Sequence, residues 1–226
     1  MFSDLVPVFI KILAGVGALL FFIVSVAKAR LKQRNRREKK LRIFAENAGM
    51  TYQKNLAELE RLLKPFELIQ KENAEIKITN VLVSRSGELT LFLFDYSWET
   101  AGQEGELQKQ TAILFDDFRF QFAHFLLRPK KMEDFLESLS GNRDVVPEGS
   151  RAFNRKYRLT SQAPRETYYL FTKQLMQFFL QTEKLHAEGL DTFFLIYEPG
   201  VIIEPVKMQN FLEDKLKGYH QLKKAA

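Results

Sequence analysis

Three histidines occur in the chain, His124, His186 and His220, and there is no cysteine. A hydrolytic site built on a histidine base needs a serine or cysteine nucleophile in a recognisable elbow, and the sequence places none beside these three. No two histidines stand three or four apart, the spacing that sets two imidazoles on one helical face for zinc or di-iron. Without cysteine, disulfides and thiolate metal sites are excluded, which fits a reducing compartment. No phosphate-cradling glycine loop follows a strand, since Gly15 and Gly17 fall inside an apolar run. These patterns imply no metal and no cofactor.

The carboxylates offer one residue of chemical interest. Asp116 and Asp117 are adjacent, diverge in extended chain and read as turn residues. Asp95 instead lies between Phe94 and Tyr96 in an apolar strand, where a buried carboxylate is costly unless paired. Arg128, Lys109 or a threonine hydroxyl are its candidate partners. His124 falls on the apolar face of a phenylalanine-rich strand and reads as a core histidine satisfied locally. Asp95, His124 and Arg128 make up the polar cluster from which an enzyme site distant in sequence would have to be assembled. A structural network is the preferred reading of Asp95.

Residues 6–27, VPVFIKILAGVGALLFFIVSVA, carry Lys11 as their only charge. At about 1.5 Å per residue this run covers roughly 33 Å, enough for a hydrocarbon core, and Lys11 is near enough to the start to snorkel. The stretch that follows holds Lys28, Arg30, Lys32, Arg34, Arg36, Arg37, Lys39 and Lys40 against Glu38, a net of +7. Subtracting this from the chain total of +6 leaves −1, so the high isoelectric point is local to this segment. A near-neutral remainder lacks the broad basic face of a nucleic-acid binder. Basic residues beside a spanning helix stay in the cytoplasm, where each gains about 1 kcal/mol against anionic headgroups. The expected topology is N-terminus outside and C-terminal domain cytoplasmic. Ala27-Lys28-Ala29 matches a signal-cleavage pattern, but the positive charge follows the apolar run instead of preceding it. Ala14 and Ala18 give a small-xxx-small step, the basis for a possible homodimer through the spanning helix.

The elements beyond the anchor predict an α+β fold, a single N-terminal transmembrane helix followed by a mainly antiparallel sheet with packed helices. Residues 1–29 are the anchor, and 30–48 a basic juxtamembrane helical stalk ending at Gly49. Residues 49–140 contain a short helix with Asn55 as its cap, then strands over 75–83, 89–98, 109–115 and from Phe118 to Leu127. In the last of these, Phe118, Phe120, Phe122, His124 and Leu126 share a face. Residues 141–150, GNRDVVPEGS, read as a linker. Residues 151–226 run strand, helix, strand, strand, helix, the first helix over 165–181 and the last from Val206. LLRPKKMEDFLE at 126–137 aligns without gaps to IIEPVKMQNFLE at 202–213. Two strand-to-helix junctions with Pro at the first helical position account for that similarity better than a duplicated half-domain.

Seven short motifs follow one another along the chain: PFEL from Pro65, ITNVL from Ile78, LFDY from Leu93, QTAIL from Gln110, LLRP from Leu126, FNRKYRL from Phe153 and IYEPG from Ile196. Behind an N-terminal apolar anchor, this order resembles an uncharacterised group of bacterial membrane-anchored proteins. The approach to the first strand, IQKENAEIKI, is less rich in Arg and Gly than that group's. The resemblance implies a bacterial protein with a single α+β region, which with the charge asymmetry above places the anchor in the inner membrane, and it supplies neither activity nor site residues.

Two functional classes follow as expectations. The first is a non-catalytic binding or scaffold module at the membrane surface, meeting lipid headgroups through the eight basic residues, and a protein partner, with no nucleic acid. The second is a membrane-anchored, hydrolase-like enzyme.

Overall fold

A computed structural model describes residues 5–67, 70, 74–100, 107–131, 144–182 and 184–225, and within these the side chains of 5–20, 29–30, 74–75 and 100 are not described. The chain divides into two compact units, 1–43 and 44–226. Helix α1, Leu5–Asn47, is unbroken over 43 residues and carries both the apolar run and the basic segment. Most of the apolar run falls among the undescribed side chains, as do Lys11, Ala14 and Ala18. Among the described residues no helix is long and apolar enough to cross a membrane. The transmembrane assignment therefore rests on sequence alone. The stop at Gly49 is as expected: its φ of +64° is the left-handed conformation glycine adopts without strain, and Met50 N donates back to Ala45 O.

The second unit is built on one nine-stranded sheet, antiparallel at every described pairing. Its strands are β1 (Thr51–Gln53), β2 (Ala74–Ser86), β3 (Leu89–Thr100), β4 (Leu107–Asp117), β5 (Phe122–Pro129), β6 (Asp144–Val145), β7 (Tyr157–Ser161), β8 (His186–Asp191) and β9 (Phe193–Tyr197). The spatial order is β1-β2-β3-β4-β9-β8-β5-β7-β6. Strands on both sides of residues 141–150 thus interleave, with β4 against β9 and β5 between β8 and β7. That segment contributes the edge strand β6 as well as a turn.

Alternation along the strands gives the sheet two faces. Phe92, Phe94, Tyr96, Ala112, Leu114, Leu195 and Tyr197 form one core with Leu59 and Leu63 of helix α2, Ala57–Leu63. The other face carries Leu91, Leu93, Ile113, Phe115, Phe125, Leu127, Phe194 and Ile196, all at most 5% exposed. It is covered by α3 (Arg151–Lys156), α4 (Pro164–Leu170), α5 (Lys173–Gln181) and α6 (Met208–Ala225). Phe115 stacks on Tyr219 of α6 at 4.7 Å, and Phe125 meets Phe171 edge-on at 5.6 Å.

Several local expectations are corrected. Helix α2 begins one residue beyond Leu56, which has no side-chain cap, so Asn55 does not cap it. The segment before β7 is helical, with the Ser150 hydroxyl accepting from Phe153 N. The single helix expected over 165–181 is two, because Phe171 leaves the helical region and Thr172 caps a new start through Leu175 N. Phe118 is 64% exposed and precedes the strand. An irregularity in the β5–β8 pairing between Phe122 and Phe125 shifts the alternation. It sends Phe122, Phe125 and Leu127 to the helix-covered face and His124 to the opposite one, so His124 does not lie among the phenylalanines. The first copy of the repeated LLRP sequence lies outside the described residues beyond Lys131, as does the loop of residues 101–106.

Candidate functional site

Asp95 is 8% exposed, and its carboxylate is bound on both oxygens. Asn80 Nδ2 donates to Oδ2 at 2.8 Å and Thr111 Oγ1 donates to Oδ1 at 3.0 Å. Asn80 sits where the β2–β3 register shifts, with φ +54°, a left-handed conformation that asparagine tolerates better than most residues. Its Oδ1 accepts from Tyr52 OH at 2.7 Å and its backbone N–H donates to Lys54 O. Thr111 Oγ1 accepts from Ile203 N at 3.0 Å, and Thr111 N donates to Val201 O. One carboxylate therefore ties β1, β2, β3, β4 and the 201–203 segment together. Of the three partners considered from sequence, a threonine is present.

His124 and Glu188 form the second cluster. Glu188, on β8, is fully buried, and its carboxylate accepts from Glu67 N at 2.9 and 3.1 Å and meets His124 Nε2 at 2.7 Å. Burial raises the Glu188 pKa, opposed by the Glu67 N–H and by His124. The His124 side chain is 21% exposed. A carboxylate holding one imidazole nitrogen is the orienting half of a general base. No described serine or threonine hydroxyl bonds the ring, and no group of three His, Asp or Glu among the described residues is arranged to hold a metal.

Arg128 lies on the same face of β5, directly opposite Arg158 of β7. Arg158 Nε pairs with Asp144 Oδ1 at 2.9 Å, and Arg128 Nη1 donates to Pro129 O at 3.3 Å. The sheet brings His124 and Arg128 to one strand but leaves Asp95 apart from them. Strands β4, β9 and β8 intervene, and four steps of about 4.8 Å make roughly 19 Å. Glu188 went unnoticed in sequence because HAEGLD is weakly patterned; a carboxylate at an inward strand position was the available signal.

Two further polar contacts join α6 to the sheet. Asp117, fully buried, accepts from Arg119 Nε at 2.7 Å, from Arg119 Nη2 at 2.5 Å and from Tyr219 OH. Arg119 also meets Glu88 at 2.9 Å. Lys215, 2% exposed, reaches Glu198 at 3.3 Å and Asp214 at 3.1 Å and lies over the Phe211 ring.

In the first unit, Lys28, Lys32, Arg34, Arg36, Lys39 and Lys40 are exposed on α1 and Arg37 is half-buried, while the Arg30 side chain is not described. Glu38 pairs with Arg42 at 2.8 Å, one turn apart.

No protein-family model matches the chain, and no curated protein matches it. Among solved structures, the mycobacterial trehalose monomycolate transport factor A, TtfA, is similar in fold, with a TM-score of 0.54 and 12% identity over 82% of this chain and 93% of that one. At that identity the likeness defines an α+β architecture and not an activity.

Proposed function

We propose that the chain is a single-pass membrane protein whose α+β unit is a non-catalytic binding or scaffold module on the cytoplasmic side. The observation that carries this reading is the continuity of α1, in which the apolar residues 6–27 run without a break into the basic residues 28–40. A helix so divided suits an apolar core on one side of the interface and anionic headgroups on the other. Lys28, Arg30, Lys32, Arg34, Arg36, Arg37, Lys39 and Lys40 are the headgroup contacts, and Ala14 and Ala18 permit close helix pairing. The fold shared with a transport factor is compatible with a module that binds and does no covalent chemistry. Reporter fusions after Lys40 and after Ala226, combined with alkaline extraction of membranes, test it. Both reporters are expected on the cytoplasmic side and the chain in the extracted pellet; periplasmic signal at both, or release by alkali, removes the reading.

The alternative, a membrane-anchored hydrolase-like enzyme, draws on the His124–Glu188 pair. It requires a nucleophile or substrate group brought to His124, and loss of a defined turnover in His124→Ala with folding retained would establish it.

A further inference from the structure

Helices α5 and α6 enclose a groove of about 650 Å³ whose lining is unusual in its chemistry. Lys173, Gln177 and Gln181 follow one another at four-residue steps on α5, so they form a row along one side of that helix. Lys217 and Gln221 form a corresponding pair on α6. Among the described residues no acidic residue lines the groove, and neither lysine makes an ion pair. The floor is the Phe178 ring, which reaches its place because residue 218 is glycine. A Cβ there would stand 2.4 Å from Phe178 Cε1.

We propose that this groove binds a short, extended, acidic segment of a partner protein. The inference rests on the binding-module reading above and names the class of partner. The α5 row from Lys173 to Gln181 covers nine residues, a rise of about 12 Å that matches roughly four residues of extended chain. Lys173 and Lys217 supply charge for carboxylates. The glutamine carboxamides each offer a donor and an acceptor, the complement of a peptide group. A headgroup phosphate presents acceptors only and would use the carboxamide donors without their oxygens, whereas each peptide group of an extended segment uses both. Arginine, the usual partner of phosphate where bidentate recognition is needed, is absent from the lining.

The test uses the full chain in nanodiscs of neutral phosphatidylcholine. Fluorescence anisotropy follows a fluorescein-labelled octapeptide of alternating glutamate and glycine, with a lysine–glycine octapeptide as control. Saturable binding of the acidic peptide alone is expected, with Kd raised at least tenfold in Lys173→Glu/Lys217→Glu and also in Gln177→Glu. All three positions are exposed, and unchanged thermal unfolding of the variants confirms that the fold is kept. No binding, equal binding of both peptides, or indifference to the substitutions overturns the proposal. So does variant-sensitive binding that appears only with phosphatidylglycerol vesicles, which would make the groove a headgroup site. Alkaline extraction of the same variants reads the anchor separately, so failure of the groove and failure of the membrane reading are distinct results.

Discussion

Tyr219 donates its phenolic hydroxyl to Asp117, a fully buried carboxylate 102 residues earlier in the chain. The contact fixes the C-terminal helix to the end of β4. Replacing Tyr219 by Phe keeps the stack on Phe115 and removes only this donor, so a loss of about 1–2 kcal/mol is expected in urea unfolding.

The same carboxylate governs acid stability. Hydrogen bonding from Arg119, foremost, holds Asp117 down to about 2, against an ordinary value of 3.8. A depressed folded-state pKa stabilises fully above the ordinary value and is lost as pH falls through about 2. The contribution is at most about 2 kcal/mol, reduced by screening at the partly exposed Arg119. Circular dichroism between pH 5 and pH 2 should show Tyr219→Phe unfolding at higher pH than the parent chain.

Glu188 has the opposite sign. Its raised pKa means that the folded state favours the protonated form. The advantage is present below the ordinary value of 4.5 and is lost as pH rises through the folded one. Glu188→Gln retains an acceptor for Glu67 N and carries no charge. Its urea midpoint should therefore fall less than that of the parent chain between pH 4.5 and pH 8. An identical pH profile in both would contradict this.

Asp95→Asn turns one bound oxygen into a donor facing Asn80 or Thr111. A destabilisation of about 1–3 kcal/mol is expected, read as a lower thermal midpoint. Thr111→Val should cost a similar amount, and the double variant less than the sum, because both act in one network.

Gly189 on β8 is pressed by the Phe125 ring. A Cβ at 189 would stand 2.0 Å from Phe125 Cε1, so Gly189→Ala should cost about 1–3 kcal/mol. Phe125→Leu in the same chain should recover part of that loss, measured as the urea midpoint of the pair against each single variant.

The α+β class, the longer strands and the C-terminal helix were legible because they rest on alternation and on helical spacing, both local properties, whereas the short edge strands β1 and β6 carry too few residues to alternate. Leu59 and Leu63 of α2, and Met208, Phe211 and Tyr219 of α6, are buried as their spacing requires. What failed depended on single residues or on distant strands. Phe171 ends α4 through its own dihedral, which no periodicity reveals. The irregularity beside His124 reversed the face of one histidine without changing its strand. Asp95 was recognisable as a carboxylate needing partners, but Asn80 and Thr111 became its neighbours only through β2–β3 and β3–β4 register. Glu188 depends on Glu67, 121 residues away, a separation at which local sequence carries no signal.

The sheet order also bears on how the chain is made. Strand β4 takes its second neighbour from β9, roughly 75 residues later, so at about 5–20 residues per second the ribosome leaves that edge open for several seconds. Strand β5 gains β7 first, through Phe125 opposite Ser161 and Leu127 opposite Leu159, and waits longer for β8 on its other edge. An unpaired, apolar edge is a template for pairing with a neighbouring nascent chain. Closure of the sheet, and with it burial of that edge, therefore waits for the last sixth of the chain to be made.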